Sequence, residues 1–392
     1  MKLLPRAVVW IGLVSFFTDV SADMIFPLLP ALMLSIGASG KALGLVEGAA
    51  EATASLLKIV SGRISDRVSR RKPLTLFGYS ISSLVRPLMA FAVTPAYILC
   101  VRVVDRVGKG LRSSPRDAML ADMVAPSERG RAFGFHRAMD NLGAVVGPLI
   151  ATALLASGVA LRTVFLASIV PGSLALIVLW RGVKERAHEP GLATPLPSTL
   201  QTQKAGPLPK ILRRYLFVVA VFSIGNAADA FLLLRAHKLG MATALVPIAW
   251  TLHNLVRALF STVGGILSDR FGRRPLLIAG WMVYAVAYAG FGYASEVWHI
   301  WVLLVVYGLH YSLVEGTEKA MVGDLAPAAE RGRAFGWFNG IVGLAALPAS
   351  LGFGALADRF GFALPFTIAA GLAVLASGLL LLLVPRPVAH AT

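Results

Sequence analysis

Charged side chains stand in this chain where apolar ones would be cheaper. Asp19 and Asp23 fall in the apolar run from Val8 to Leu34, one helical turn apart and so on one helix face. Glu47 and Glu51 repeat that spacing in the next run. Arg86 lies in a third; Arg102, Asp105 and Arg106 crowd a fourth; His136, Arg137, Asp140 and Asn141 fall in a fifth. Later runs hold Asn226 and Asp229, then His253, Asn254 and Arg257, then His310, Glu315 and Glu318. A charge at the centre of a bilayer costs roughly 2.5–3.5 kcal/mol, so such residues must pair or line water. A carboxyl group in a dry site favours its protonated form, so it can load and release a proton as its surroundings change. Arginine stays charged and can tune a neighbouring carboxyl or hold an anion. The chemistry within reach is proton exchange and the binding of a polar or charged solute. Structural ion pairing is the competing assignment. It is preferred for Arg112, Arg137 and Glu318, which fall near one membrane edge; Asp23, Glu51 and Arg102 suit the functional one.

This chemistry requires that the surrounding runs cross a membrane, and composition says that they do. Of 392 residues, 57% are hydrophobic and the mean hydropathy is +0.73, against about 45–50% apolar in a soluble domain. A helix needs about 20 apolar residues to span the hydrocarbon core. Twelve runs qualify: Val8–Leu34, Ala42–Ser61, Pro73–Val93, Ala96–Ser113, Ala132–Ala156, Thr163–Trp180, Tyr215–Leu234, Ala242–Leu267, Leu276–Ala294, Ile300–Gly316, Phe335–Leu356 and Leu364–Val384. The expected fold is an all-α membrane protein of twelve transmembrane helices. Arg181 to Arg214 is rich in Pro, Thr, Gln, Lys and Arg without apolar periodicity, which reads as a linker. The organisation expected is a six-helix bundle over 1–181, a cytoplasmic linker over 182–214 and a second six-helix bundle over 215–392.

The net charge of +17 would suggest nucleic acid in a soluble protein. Here the cations gather in loops of one parity, including Arg129, Arg131, Arg331, Arg333 and Arg386, while the opposite loops hold little beyond Lys41, Arg162, Lys238 and Arg359. That asymmetry is a topology signal: both termini are expected in the cytoplasm, and nucleic acid is not expected as a partner. Cys100 is the sole cysteine, so there is no intrachain disulfide or cysteine-based metal cluster. HExxH and GxSxG are absent, and GASGK at Gly37–Lys41 is too short for a phosphate loop. No metal, cofactor or enzymatic reaction is expected. Val8–Leu34 exceeds the ~7–15 residues of a signal-peptide core and reads as a retained helix. Trp10, Trp298 and Trp301 read as interfacial anchors.

The chain also repeats itself. GRISDRVSRRKP at Gly62–Pro73 returns as GILSDRFGRRP at Gly265–Pro275, and ERGRAFG occurs at Glu128–Gly134 and at Glu330–Gly336. The offsets are 203 residues from Asp66 to Asp269 and 202 from Glu128 to Glu330, and Ala22–Asp23 resembles Ala228–Asp229. Two halves, each with the loop after its second helix, imply parallel repeats about an axis along the membrane normal.

On these residues the chain resembles the major facilitator superfamily over nearly its whole length. The family loop G-x-x-x-D-R-x-G-R-R is kept by Gly62, Asp66, Arg67, Arg70 and Arg71, with Ser69 for the usual Gly. Gly265, Asp269, Arg270, Gly272, Arg273 and Arg274 keep it again. The resemblance implies a cytoplasmic gate in which the acid pairs with arginines near a helix N-terminus, where anions are favoured. Gly134, Gly143, Gly147 and Pro148 are similar to the antiporter motif of the superfamily's drug–proton exchangers; the family's closing Gly-Gly is Ala151–Thr152 here. The segment Ala22 to Pro27 resembles the first helix of multidrug–proton antiporters, with Asp23 at the acidic position. The family's fourth helix carries an Arg followed by a polar residue and Gly. Arg102–Asp105 and Arg106–Gly110 both resemble it in part, and Arg102, the deeper, is the one expected to couple protons.

The resemblance implies a secondary active transporter of the inner membrane that works by alternating access. The leading expectation is a proton-coupled antiporter exporting a drug-like or polar small organic molecule. The alternative is a proton-coupled importer or facilitator of a small, possibly anionic metabolite, which the many interior Arg and His residues favour; a non-transporting membrane sensor ranks below both. Proton coupling is assigned to Asp19, Asp23, Glu47, Glu51 and Arg102. The substrate cavity is assigned to Asp105, Arg106, Asp140, Asn141, Asn226, Asp229, His253, Asn254, Arg257, His310 and Glu315. The expected partners are a small-molecule substrate, protons and the lipid bilayer, and the chain is expected to be monomeric.

Overall fold

The structure, a computed structural model, describes residues 5–65, 68, 70–124, 129–183, 208–326 and 331–385, without the side chains of several helical positions such as Arg63, Arg131 and Asp269. Asp66, Arg67 and most of the expected linker lie outside the described residues. Among the described residues every regular element is helical. In chain order they are α1 (Arg6–Asp23), α2 (Leu29–Ser35), α3 (Gly40–Ser65), α4 (Lys72–Val85), α5 (Pro95–Asp122), α6 (Arg129–Ala156), α7 (Leu161–Ala167) and α8 (Ile169–Gly182). Then come α9 (Lys210–Gly225), α10 (Ala230–Lys238), α11 (Val246–Phe271), α12 (Arg273–Tyr293), α13 (Val297–Leu325), α14 (Arg331–Phe360) and α15 (Ala363–Leu383). Nine segments within them are long and apolar enough to cross a membrane. Their outward faces carry bare apolar side chains such as Phe77, Trp180 and Leu382, which only a lipid surround accommodates at this density.

Four expected spans are interrupted, each for a local reason. Proline lacks the N–H that would bond four residues back. Pro27 and Pro30 therefore end α1 at Asp23, and a 3-10 turn over Phe26–Leu28 leads into α2. Pro87 turns the end of α4 into a 3-10 stretch, Arg86–Phe91. Pro171 cannot bond to Ala167, where α7 gives way to α8. The break between α9 and α10 has no proline. Asn226 leaves helical geometry at φ −93°, ψ 81°, and the freed backbone groups are met by side chains. Tyr284 Oη donates to Gly225 O at 3.0 Å, and Ser350 Oγ accepts from Ala228 N–H at 3.0 Å. Other spans run longer than expected: Ala96–Ser113 extends to Asp122 and Ile300–Gly316 to Leu325. Hydropathy stops where charges begin, but a helix continues if those charges are paired.

The described chain forms two compact units. The first comprises residues 1–38, 49–206 and 242–251; the second comprises 39–48, 207–241 and 252–392. In the first, α1 packs on α6 and α8, and α4 packs on α5, over an aliphatic core that includes Ile11, Val14, Met119, Leu120 and Leu179. In the second, α12 packs on α13 and α15, and α9 on α14 and α15. Its core is aromatic: Trp281, Tyr284, Tyr288, Tyr307, Phe291 and Phe366 are all buried. The first turns of α3 join this unit through Gly40, Gly44 and Gly48, whose bare Cα atoms rest on the α14 backbone at Gly354, Ser350 and Leu347. Both carboxylate oxygens of Asp358 accept the N–H groups that open α3, Gly40 at 2.6 Å and Lys41 at 2.8 Å.

Candidate functional site in two clusters of buried polar residues

In the first unit the charges converge on α5. Close helix approach makes this possible: a Cβ on Gly78 of α4 would stand 2.7 Å from Gly108 O of α5. About two turns beyond Gly78, Arg86 Nε donates to Asp105 Oδ1 at 3.0 Å, and its Nη1 donates to Thr18 O of α1 at 2.9 Å. Arg102 lies 3.8 Å from the other Asp105 oxygen. All three side chains are buried, so the pair is held by geometry that leaves few hydrogen-bonding groups open, as a desolvated charge requires. Arg112 is buried too. It donates to Ser82 Oγ at 2.5 Å and lies 4.6 Å above the Tyr79 ring. Arg116 donates to Asp117 at 2.9 Å and to Ser15 Oγ at 3.4 Å. Ser15 Oγ is also 2.6 Å from His136 Nε2, and His136 Nδ1 faces Asp140 Oδ2 at 3.5 Å.

Asp19 and Asp23 stand apart from this pairing. Both are half-buried, and among the described residues neither makes a hydrogen bond or an ion pair. The strongest fields at Asp19 come from Arg112, Lys109, Arg116 and Arg86; at Asp23 they come from Asp19, Lys109, Arg86 and Arg106. Glycines set their position. A Cβ on Gly143 of α6 would lie 2.9 Å from Asp19 Cβ, and one on Gly147 would lie 2.6 Å from Val20 O and 3.2 Å from the Asp23 carbonyl carbon. The α6 backbone is thus pressed onto the turn of α1 that carries both acids. Glu51 is exposed, in the field of Lys109, Arg106, Lys58 and Arg102.

The second unit has a different cluster. Asp229, at the break between α9 and α10, accepts Tyr307 Oη at 2.6 Å and Tyr311 Oη at 3.4 Å. His253 stacks on Tyr307 at 5.1 Å between ring centroids, and its Nδ1 lies 3.3 Å from Leu304 O. His310 Nδ1 meets Gly280 O at 2.8 Å. Arg257 donates twice to Glu315 Oε2, at 3.2 and 2.6 Å, with its guanidinium 4.7 Å above Tyr311. Glu318, read as an edge residue, is half-buried one turn further on and accepts from Trp281 Nε1 at 3.3 Å.

The predicted residues are therefore distributed. Asp19, Asp23, Arg102, Asp105, Arg106 and Asp140 share the first unit's cluster with Glu51 at its margin; Asp229, His253, Arg257, His310 and Glu315 share the second. Glu47 is buried in the segment of α3 that belongs to the second unit. Asn141, Asn226 and Asn254 are half-buried. Of the gate residues described, Arg71 Nε donates to Ser65 O at 3.4 Å, Arg273 pairs with Asp324 at 3.2 Å, Arg274 donates to Leu381 O, and Arg70, Gly265 and Arg270 are exposed. Sequence reasoning missed the tyrosines. Their signal was present: Tyr284/Tyr288 and Tyr307/Tyr311 each sit one turn apart, but aromatic residues in an apolar run read as filler. The repeat offset of 202 residues sharpens the contrast. It places Tyr288 at the register of Arg86, and Tyr307 at that of Asp105. A buried ion pair in one repeat is a pair of phenol rings, 5.7 Å apart, in the other.

The sequence profile of the major facilitator superfamily matches twice, over residues 11–235 and 216–392. The chain belongs to the major facilitator superfamily. This superfamily member is 34% identical to an uncharacterized MFS-type transporter of Methanocaldococcus jannaschii, over 97% of this chain and 95% of the relative. A shorter stretch is 36% identical to the multidrug resistance protein MdtH of Cronobacter sakazakii, covering 25% of this chain and 24% of that protein. In fold it matches the crystal structure of the nucleoside transporter NupG with a TM-score of 0.79 at 12% identity, over 97% of this chain and 100% of that one. As a superfamily member it is an integral membrane transporter and not an enzyme.

Proposed function

We propose that this transporter is a proton-coupled antiporter that exports a drug-like or polar small organic molecule by alternating access. One observation carries the reading. The glycines of the antiporter-type pattern, Gly143 and Gly147, abut the turn of α1 that holds Asp19 and Asp23, so the pattern and the unpaired carboxylates form one device. A carboxylate inside a span without a cation partner is expensive to keep charged. It gains by taking a proton from one side and losing it to the other. The fixed cations of α5 set how tightly the proton is held, and Arg102, 3.8 Å from Asp105, is the coupling arginine. A short likeness to a multidrug resistance protein points the same way. In this reading α3, α5 and α11 complete twelve spans in two six-helix bundles, 1–181 and 215–392, joined by a cytoplasmic linker. Both termini are cytoplasmic, the membrane is the inner one, and the chain works as a monomer.

Everted vesicles provide the test. With an inward-acid pH gradient the wild-type chain accumulates a cationic dye, and Asp23→Asn reduces accumulation to the level of empty vesicles. Unchanged dye accumulation by Asp23→Asn removes Asp23 from the mechanism. The second reading is proton-coupled import or facilitated entry of a polar metabolite, favoured by the hydrogen-bonding cluster of Asp229, Tyr307, Tyr311 and His253. It predicts the opposite sign of the pH-gradient effect, with substrate and protons moving together.

A further inference from the structure

In each repeat a cation stands just before the proline at the start of a span: Lys72 before Pro73, and Arg274 before Pro275, 202 residues on. Both reach the last turn of a neighbouring helix, whose unpaired carbonyls carry negative partial charge. Lys72 is well supplied there. Its Nζ donates to Trp180 O at 2.8 Å and to Val183 O at 2.7 Å. Arg274 is not. Among the described residues its one hydrogen bond runs from Nη2 to Leu381 O, and its Nε is buried without an acceptor. A guanidinium has five N–H donors, so most of its capacity is unused.

Beside it lies an open cleft of about 320 Å³, lined by Arg274, Pro275, Ile278 and Leu381. Among the described residues no acidic one lines it, and apart from the guanidinium its wall is apolar. Leu381 and Leu382, at the end of α15, are 53% and 82% exposed, as side chains facing acyl chains would be. The adjoining helix ends are basic. Lys210, Arg213 and Arg214 open α9, which packs on α15, and Arg270 stands four residues before Arg274, all exposed, while Asp324 is engaged by Arg273 at 3.2 Å.

We propose that this cleft, between the start of α12 and the end of α15, binds the headgroup of an anionic phospholipid. The phosphate takes the free N–H groups of Arg274, whose planar fork suits phosphate oxygens. The glycerol and first acyl carbons lie over Ile278 and Leu381. Free phosphate satisfies the guanidinium but leaves the apolar wall bare. A zwitterionic lipid brings an ammonium group toward helix ends that are already cationic, whereas an anionic headgroup is attracted by them.

Native mass spectrometry of the full-length protein in detergent tests the assignment, with titrations of dioleoylphosphatidylglycerol, dioleoylphosphatidylcholine and inorganic phosphate. The first phosphatidylglycerol adduct is expected at concentrations that give no phosphatidylcholine adduct, and millimolar phosphate does not displace it. Arg274→Gln weakens it about fivefold, the size of one cation's contribution beside an anionic surface; Lys72→Gln leaves it unchanged. Ile278→Trp keeps the charge, fills the cleft and also weakens the adduct, which covers the case of an Arg274→Gln protein that does not fold. Equal phosphatidylglycerol binding by the wild-type chain and either cleft variant overturns the proposal. So does equal binding of the two lipids, or displacement by phosphate.

Discussion

At the scale of single residues, the two repeats show two solutions to one packing problem. The Arg86–Asp105 pair and the Tyr288–Tyr307 rings occupy the same register. A buried ion pair is about as stable as well-packed apolar residues of similar volume, whereas removing one partner leaves an uncompensated charge and costs about 3–5 kcal/mol. Arg86→Met is therefore expected to lower the melting temperature in detergent sharply, softened in part by Arg102 at 3.8 Å from Asp105. The double change Arg86→Met with Asp105→Leu is expected to recover most of that loss. A double variant that melts no higher than Arg86→Met shows that the loss does not come from a stranded Asp105 charge and that the pair is worth more than its apolar replacement. Asp19 and Asp23 differ from Asp105 because among the described residues no cation is paired with them, which is why they and not Asp105 are assigned the mobile proton.

At the scale of elements, α6 matters through what it lacks. Gly143 and Gly147 give α1 a flat surface to lie on, and association of membrane helices rests on such close packing. A valine at 147 would place its Cβ 2.6 Å from Val20 O and 3.0 Å from Met24 N. Backbone atoms cannot step aside as a flexible side chain can. Gly147→Val is expected to abolish transport and to reduce the yield of folded, monodisperse protein. Gly371 in α15 is the contrasting case. A Cβ there meets nothing within 4 Å, and alanine is the better helix former by about 1 kcal/mol. Gly371→Ala is expected to leave transport intact and the melting temperature unchanged or raised. Equal tolerance at both positions, scored by size-exclusion profile and transport, removes the packing argument. The broken helices have the same logic: the breaks at Asp23 and Asn226 put polar groups mid-span, where continuous helices would have buried their backbone groups in their own ladder.

At the scale of the whole molecule, the basic loops should set orientation, because cations resist transfer across the membrane. The sole cysteine, Cys100, is exposed, so a Cys100→Ser background is a clean start for labelling. Lys238→Cys is expected to react with an impermeant maleimide in intact cells, and Arg214→Cys only after permeabilisation. The reverse pattern inverts the topology.

Much of this architecture was legible in the sequence, because it follows from solvent rather than from contacts. Long apolar runs must become helices, since lipid offers no partner to a bare backbone. A motif written twice at an offset of 202 to 203 residues announces a repeat whatever the packing. The charged residues inside those runs could be picked out on the same ground. Which of them would find a partner could not, because pairing depends on helix rotation and close approach through residues far apart in the chain. Only the tertiary structure joined Arg86 to Asp105 across 19 positions and Asp229 to Tyr307 across 78. It alone set Gly147 against Asp23, left Asp19 and Asp23 without an ion pair among the described residues, and opened a cleft beside Arg274.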